Sequence, residues 1–229
     1  MDNLLLNMFG DVPIVTKTWI AGVVVLAVCI NLNLLDYTKV IYSYDLTFKK
    51  GQYLRLPYSL LDYGLFDWGS IFNFFVAIGF LSALENSIAK RGRYLWMLCV
   101  ITMLIVVMSR WMQPLSSLGY TLHQNLVYYK IRRDIQANIQ LPGGFNVSPL
   151  LFPLYTNARM YLSLPVSFGE ILVNFLPGHM YFFVEDALSK IYNLDLGKPP
   201  NEWFSRPTEE PHGQEQERAN GAARMHAQD

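Results

Sequence analysis

The chain has 229 residues, 52% hydrophobic and only 16% charged, with 18 Lys and Arg balanced by 18 Asp and Glu. Soluble domains usually carry about 25% charged residues, so the shortfall points to a bilayer, and a net charge of zero argues against a nucleic-acid partner. Cys29 and Cys99 stand apart in apolar stretches, which argues against a disulfide framework or a thiol-built metal site.

In chain order, Leu4, Leu5, Leu6, Met8 and Phe9 form a short apolar cluster suited to the membrane interface. The first span is expected over about 15–35. It is read as retained rather than cleaved, because no basic stretch precedes it and no small-residue cleavage site follows. The second is expected over about 65–84, with Asn73 inside it, and the third over about 94–110. The fourth, about 115–130, is polar in its middle, where His123, Gln124 and Asn125 are consecutive. The fifth, about 145–162, holds Pro149, Pro153, Asn157 and Arg159. The sixth, about 168–192, holds Glu170, Asn174, His179, Glu185 and Asp186.

The first loop, from Asp36 to Asp62, carries Tyr37, Tyr42, Tyr44, Tyr53 and Tyr58. Aromatic rings with a polar tip favour the headgroup layer, so this loop is expected to be folded and partly embedded. After Gly197 the chain turns rich in Pro, Glu, Gln, Arg and Ala. Residues 198–229 are expected to be a disordered tail, since such a composition buries too little surface to offset ordering entropy.

Basic residues in short loops mark the cytosolic side. Lys90, Arg91 and Arg93 lie between spans two and three, and Lys130, Arg132 and Arg133 run from the end of span four toward five; Arg110 alone marks the junction of three and four. Six spans then place both termini in the cytosol. The first loop is the exception, with Lys39, Lys49, Lys50 and Arg55 beside Asp36, Asp45 and Asp62.

The ordered set FGDVPIVTKTW, KVIYSYDLTFKKGQYLRL, QPLSSLG, LVYYKIRR and PGHMYFFVEDALSKIY resembles the Derlin family, most of all its fungal founding member, over about residues 1–205. The resemblance implies an all-α membrane protein: a six-helix rhomboid-like bundle with a membrane-embedded first lumenal loop and a lateral opening between the second and fifth helices. It implies the endoplasmic reticulum membrane and a role in returning misfolded lumenal proteins to the cytosol. The partners it implies are a membrane-embedded RING ubiquitin ligase with its linker and adaptor subunits, the misfolded clients and the lipid bilayer. The family pattern has a Trp-Arg pair where this chain has Leu54-Arg55, so Arg55, with Gln52, is the expected first-loop anchor. The tail motif by which some relatives recruit a hexameric AAA ATPase is missing from 198–229, and no direct docking of that ATPase is expected.

A rhomboid protease needs a serine in a G-x-S-G turn, whose glycines let amides reach the oxyanion, and a histidine to take the serine proton. Ser117 has leucines at both glycine positions, and Ser116 has Pro114 and Ser117 beside it. His179 follows Gly178 as it does in the non-proteolytic family. A pseudoprotease is therefore expected. No phosphate-binding or dinucleotide fingerprint occurs, and no cofactor or metal is expected. An active intramembrane protease and a scaffold without a conduit are the rival readings.

Charge at the bilayer centre costs about 2.5–3.5 kcal/mol, so polar groups at depth tend to face protein or water. Asn73, Gln124, Asn125, Asn157, Arg159, Asn174 and His179 are the candidates for a hydrated half-channel and lateral gate; His123 is read as a packing residue. The competing role for each is a hydrogen bond between helices. Gly79, Gly119 and Gly178 are candidates for close helix packing. Spans four and five, at 15–18 compatible residues, cover roughly 22–27 Å, less than the ~30 Å hydrocarbon core, and are expected to thin the bilayer.

Overall fold

The computed structural model describes residues 12–63, 68–88, 90–112, 115, 117–134, 139–140, 146–148, 151, 167–192 and 197–200. The apolar cluster before residue 12, nearly all of the fifth span and the tail beyond residue 200 lie outside the described residues. The chain divides at Gly197, and the described helices all lie within Met1–Gly197.

The long elements are helical: α1 (Ile14–Asn31), α2 (Arg55–Leu61), α3 (Trp68–Ser87), α4 (Arg91–Met108), α5 (Leu118–Arg133) and α6 (Phe168–Phe182). After α6, a wide π-type segment, Phe183–Leu188, leads into the short α7 (Ser189–Tyr192). A two-residue antiparallel bridge pairs Ile139–Gln140 with Asn146–Val147.

α1 and α4 have 18 residues each and are long and apolar enough to cross a membrane. Their apolar character runs all round. On α4 the buried face is Tyr94, Met97, Ile101 and Ile105, while Leu95, Met103 and Val107 point outward. On α1 the buried face includes Val23, Leu26 and Ile30, and Val24, Val25 and Val28 are exposed. A helix apolar on both its packed and its outer face suits lipid rather than water.

α5 is different. It has 16 residues, about 24 Å at 1.5 Å per residue, and ends on Lys130, Arg132 and Arg133. Its start lies three residues beyond the apolar pattern, at Leu118, because Ser117 caps it: the Ser117 hydroxyl accepts from the Tyr120 N–H. α6 is capped in the same way by Ser167, which accepts from Glu170.

The ends of the helices meet in two groups. At one, the close of α3 reaches the start of α1 through Glu85, and Arg93 at the start of α4 pairs with Glu185 just after α6. At the other, Ser109 after α4 and Ser117 before α5 bond to Tyr42 and Asp62 of the first loop. α5 and α6 run parallel: Asn125 meets Val173 and Gly178, Tyr128 meets His179, and Tyr129 meets Glu185. The end of α5 and the start of α6 therefore lie at opposite ends of the pair, and the segment from 134 to 167 joins them.

The first loop is folded. It holds a 3₁₀ turn (Tyr37–Lys39), a π-type turn (Asp45–Lys49) and α2. Val40, Tyr42, Thr47 and Ser59 in it are buried.

Candidate functional site

Three seams hold the candidate residues. The first joins α5 to α6. Pro177 sits inside α6, has no N–H, and leaves the Val173 carbonyl without its usual helical donor. Asn125 Nδ2 donates to that carbonyl at 2.8 Å and also to Thr121 O at 2.8 Å. Asn125 Oδ1 accepts from the Gly178 N–H at 2.8 Å. One amide thus splints the proline break and ties two helices. Asn125 is fully buried, and Asn174, one residue past Val173, is buried as well.

Gly178 is required at this seam. A Cβ there would stand 2.6 Å from the Asn125 carbonyl oxygen, closer than any side chain tolerates. One turn further on, Tyr128 Oη lies 2.9 Å from His179 Nδ1 and accepts from Arg132 Nε at 3.0 Å. Tyr128 and His179 share one hydrogen bond whose direction follows the imidazole tautomer. His179 is exposed on the outer side of α6, and Gln124 is half-buried on α5. Beyond them Tyr129 donates to Glu185, whose other oxygen pairs with Arg93 at 3.0 Å.

The second seam joins the first loop to α5. Ser117 Oγ donates to Asp62 O at 2.8 Å, and Ser59 Oγ accepts from the Leu118 N–H at 3.1 Å. A Cβ on Gly119 would stand 2.5 Å from Leu60 O and 3.0 Å from Asp62 O, so the loop backbone lies directly on the helix. Arg55 organises the loop itself. Its Nη1 donates to Thr38 O (2.5 Å) and Ile41 O (3.0 Å), and its Nε to Gln52 Oε1 (2.5 Å). The planar guanidinium fixes all three directions at once. Asp36 caps the 3₁₀ turn by accepting from Thr38, and this bond holds its carboxyl below the ordinary value. Tyr37 donates to Asp62 at 3.4 Å; burial, and then the Asp62 charge, push its phenol up.

The third seam was not legible in the sequence. The start of α1 has no side-chain cap of its own. Glu85, buried at the end of α3, supplies one from outside: its oxygens accept from the N–H groups of Val15 (3.1 Å) and Thr16 (2.8 Å) and from the Thr16 hydroxyl (2.8 Å). A carboxylate at a helix N-terminus also meets the positive end of the dipole. The one available signal was a single acid near the end of an apolar helix.

Of the remaining candidates, Asn157 and Arg159 lie outside the described residues. So does the Asn73 side chain, although its backbone is in α3. Gly79 differs from the packing role expected of it: it is exposed, and a Cβ there would meet nothing within 4 Å among the described residues.

These seams lie within a stretch that a family model recognises. The model of the Der1-like family matches residues 12–200. The chain belongs to the Der1-like family. The chain is 46% identical over 212 residues to "Degradation in the endoplasmic reticulum protein 1" of Saccharomyces cerevisiae, covering 92% of this chain and 100% of that protein. It is 26% identical over 203 residues to a "Probable derlin-2 homolog" of Dictyostelium discoideum, covering 85% of this chain and 79% of that one. The splinted α5–α6 pair and the loop clamp of this Der1-like chain both fall within the matched residues.

Proposed function

We propose that the chain is a non-catalytic component of degradation at the endoplasmic reticulum. It receives misfolded lumenal proteins and helps return them to the cytosol, beside a membrane-embedded RING ubiquitin ligase and its linker subunits. The observation that carries this reading is the full-length match to a protein named for degradation in the endoplasmic reticulum.

The reading takes the bundle as six-spanning and rhomboid-like, with both termini cytosolic. The parallel run of α5 and α6 supports it, because a chain leaving the basic end of α5 must cross again before α6 begins. The short α5 supports local thinning: about 24 Å of helix against ~30 Å of hydrocarbon. The client path in this reading involves Asn73, Gln124, Asn157, Arg159 and His179, with Asn125 and Asn174 holding the helices that frame it. Arg55 and Gln52 anchor the first loop against the lumenal headgroups.

Ser117 and His179 support a pseudoprotease. The serine hydroxyl caps α5 and holds Asp62. The histidine bonds Tyr128, eleven residues further along the helix, about 16 Å away at 1.5 Å per residue. A general base must instead lie within hydrogen-bond reach of its nucleophile.

Site-specific photocrosslinkers in 65–84 and 145–162 test the conduit. Adducts with a misfolded lumenal client from both segments are expected in intact membranes. Client adducts confined to the first loop, with none from either segment, would contradict it.

A further inference from the structure

Between α1, α3, α4 and α5 lies a cavity of about 60 Å³, lined by Trp19, Tyr63, Leu81, Leu98 and His123 among others. Its walls are mostly apolar, but two polar atoms are orphaned there. His123 Nδ1 and Tyr63 Oη are both buried and reach no hydrogen-bond partner among the described residues. Their rings stand edge to face with centroids 6.2 Å apart. Thr16, also at the cavity, commits its hydroxyl to Glu85 and satisfies neither.

Burying a polar group without a partner is unfavourable, and two beside one cavity call for an occupant able to donate and accept. A water molecule needs only about 10–15 Å³ of such space, together with polar partners to stay, so the cavity admits water. An acyl chain or sterol offers nothing to a ring nitrogen along most of its length. We propose that one or two ordered water molecules occupy this cavity and bridge Tyr63 Oη to His123 Nδ1 in the middle of the bundle. This hydration site is separate from the α5–α6 seam and holds whether or not a client crosses nearby. His123 is then a water-binding residue rather than a packing one.

X-ray hydroxyl-radical footprinting of the full chain in lipid nanodiscs, in ¹⁸O-labelled water, tests the site, because radicals form where water is bound. Tyr63 is expected to take up label in the native chain, at least threefold less in His123→Leu, and at near-native level in His123→Gln, which keeps a polar group. Tyr63→Phe provides a second arm should His123→Leu fail to fold: labelling of Trp19 is expected to drop at least twofold. Absence of label at Tyr63 in the native chain, or equal label in native, His123→Leu and Tyr63→Phe proteins, overturns the proposal.

Discussion

Asn125 Nδ2 stands 2.8 Å from the carbonyl oxygen of Val173, the group that Pro177 leaves without a donor four residues later. The same amide accepts from Gly178, so a side chain on α5 repairs a gap in the backbone ladder of α6. Such a repair matters more in a membrane than in water, because no solvent stands ready to replace it.

Asn125→Ala therefore removes three hydrogen bonds and leaves the Val173 carbonyl without a donor. Unfolding in detergent is expected to show a loss of about 1–3 kcal/mol, the cost of one buried unsatisfied group. Adding Pro177→Ala restores an N–H for Val173 and is expected to recover part of that loss. Equal stability of native and Asn125→Ala proteins would show the splint to be unimportant.

The glycines separate in the same assay. Gly119→Ala and Gly178→Ala push a Cβ against backbone oxygens at 2.5 and 2.6 Å, and each is expected to cost about 1–3 kcal/mol as overpacking. Gly79→Ala meets open space and is expected to be neutral or slightly stabilising, since Ala is the better helix former.

Glu85→Ala uncaps α1 and leaves the N–H groups of Val15 and Thr16 without acceptors. A loss of about 1–3 kcal/mol is expected. Glu85→Gln keeps one acceptor oxygen and is expected to fall between the two. Hydrogen exchange at Val15 and Thr16 reads the cap directly and should rise in both variants, more in Glu85→Ala.

Arg55→Lys is expected to behave nearly as badly as Arg55→Ala. A single ammonium lacks the fork that reaches Thr38 O, Ile41 O and Gln52 together. Limited proteolysis between residues 36 and 62 should quicken in both variants. Native-like protection in Arg55→Lys would show that charge alone suffices.

Patterns along the chain revealed the helical character, because apolar runs such as Val23 to Ile30 need no partner to be recognised. The folded first loop was also legible, since its tyrosines are costly in open water. Asn125 was visible as a polar group at depth, but its role was not. A splint and a channel lining look the same until Pro177 is seen four residues past the orphaned carbonyl and across from it. Glu85 escaped for a similar reason: it acts on residues about 70 positions earlier, and no local pattern reports so distant a cap. Gly79 misled because a small residue on an apolar face reads as packing whether its neighbour is protein or lipid.

A chain that moves clients without cutting them has no need of Ser117 as a nucleophile. The most direct measurement is pulse-chase turnover of a misfolded lumenal protein in cells lacking the chain, restored with the native form or with Ser117→Ala at matched abundance. Both forms are expected to restore turnover, with no client fragments from either. Turnover restored only by the native form, with fragments that vanish in Ser117→Ala, would contradict that expectation.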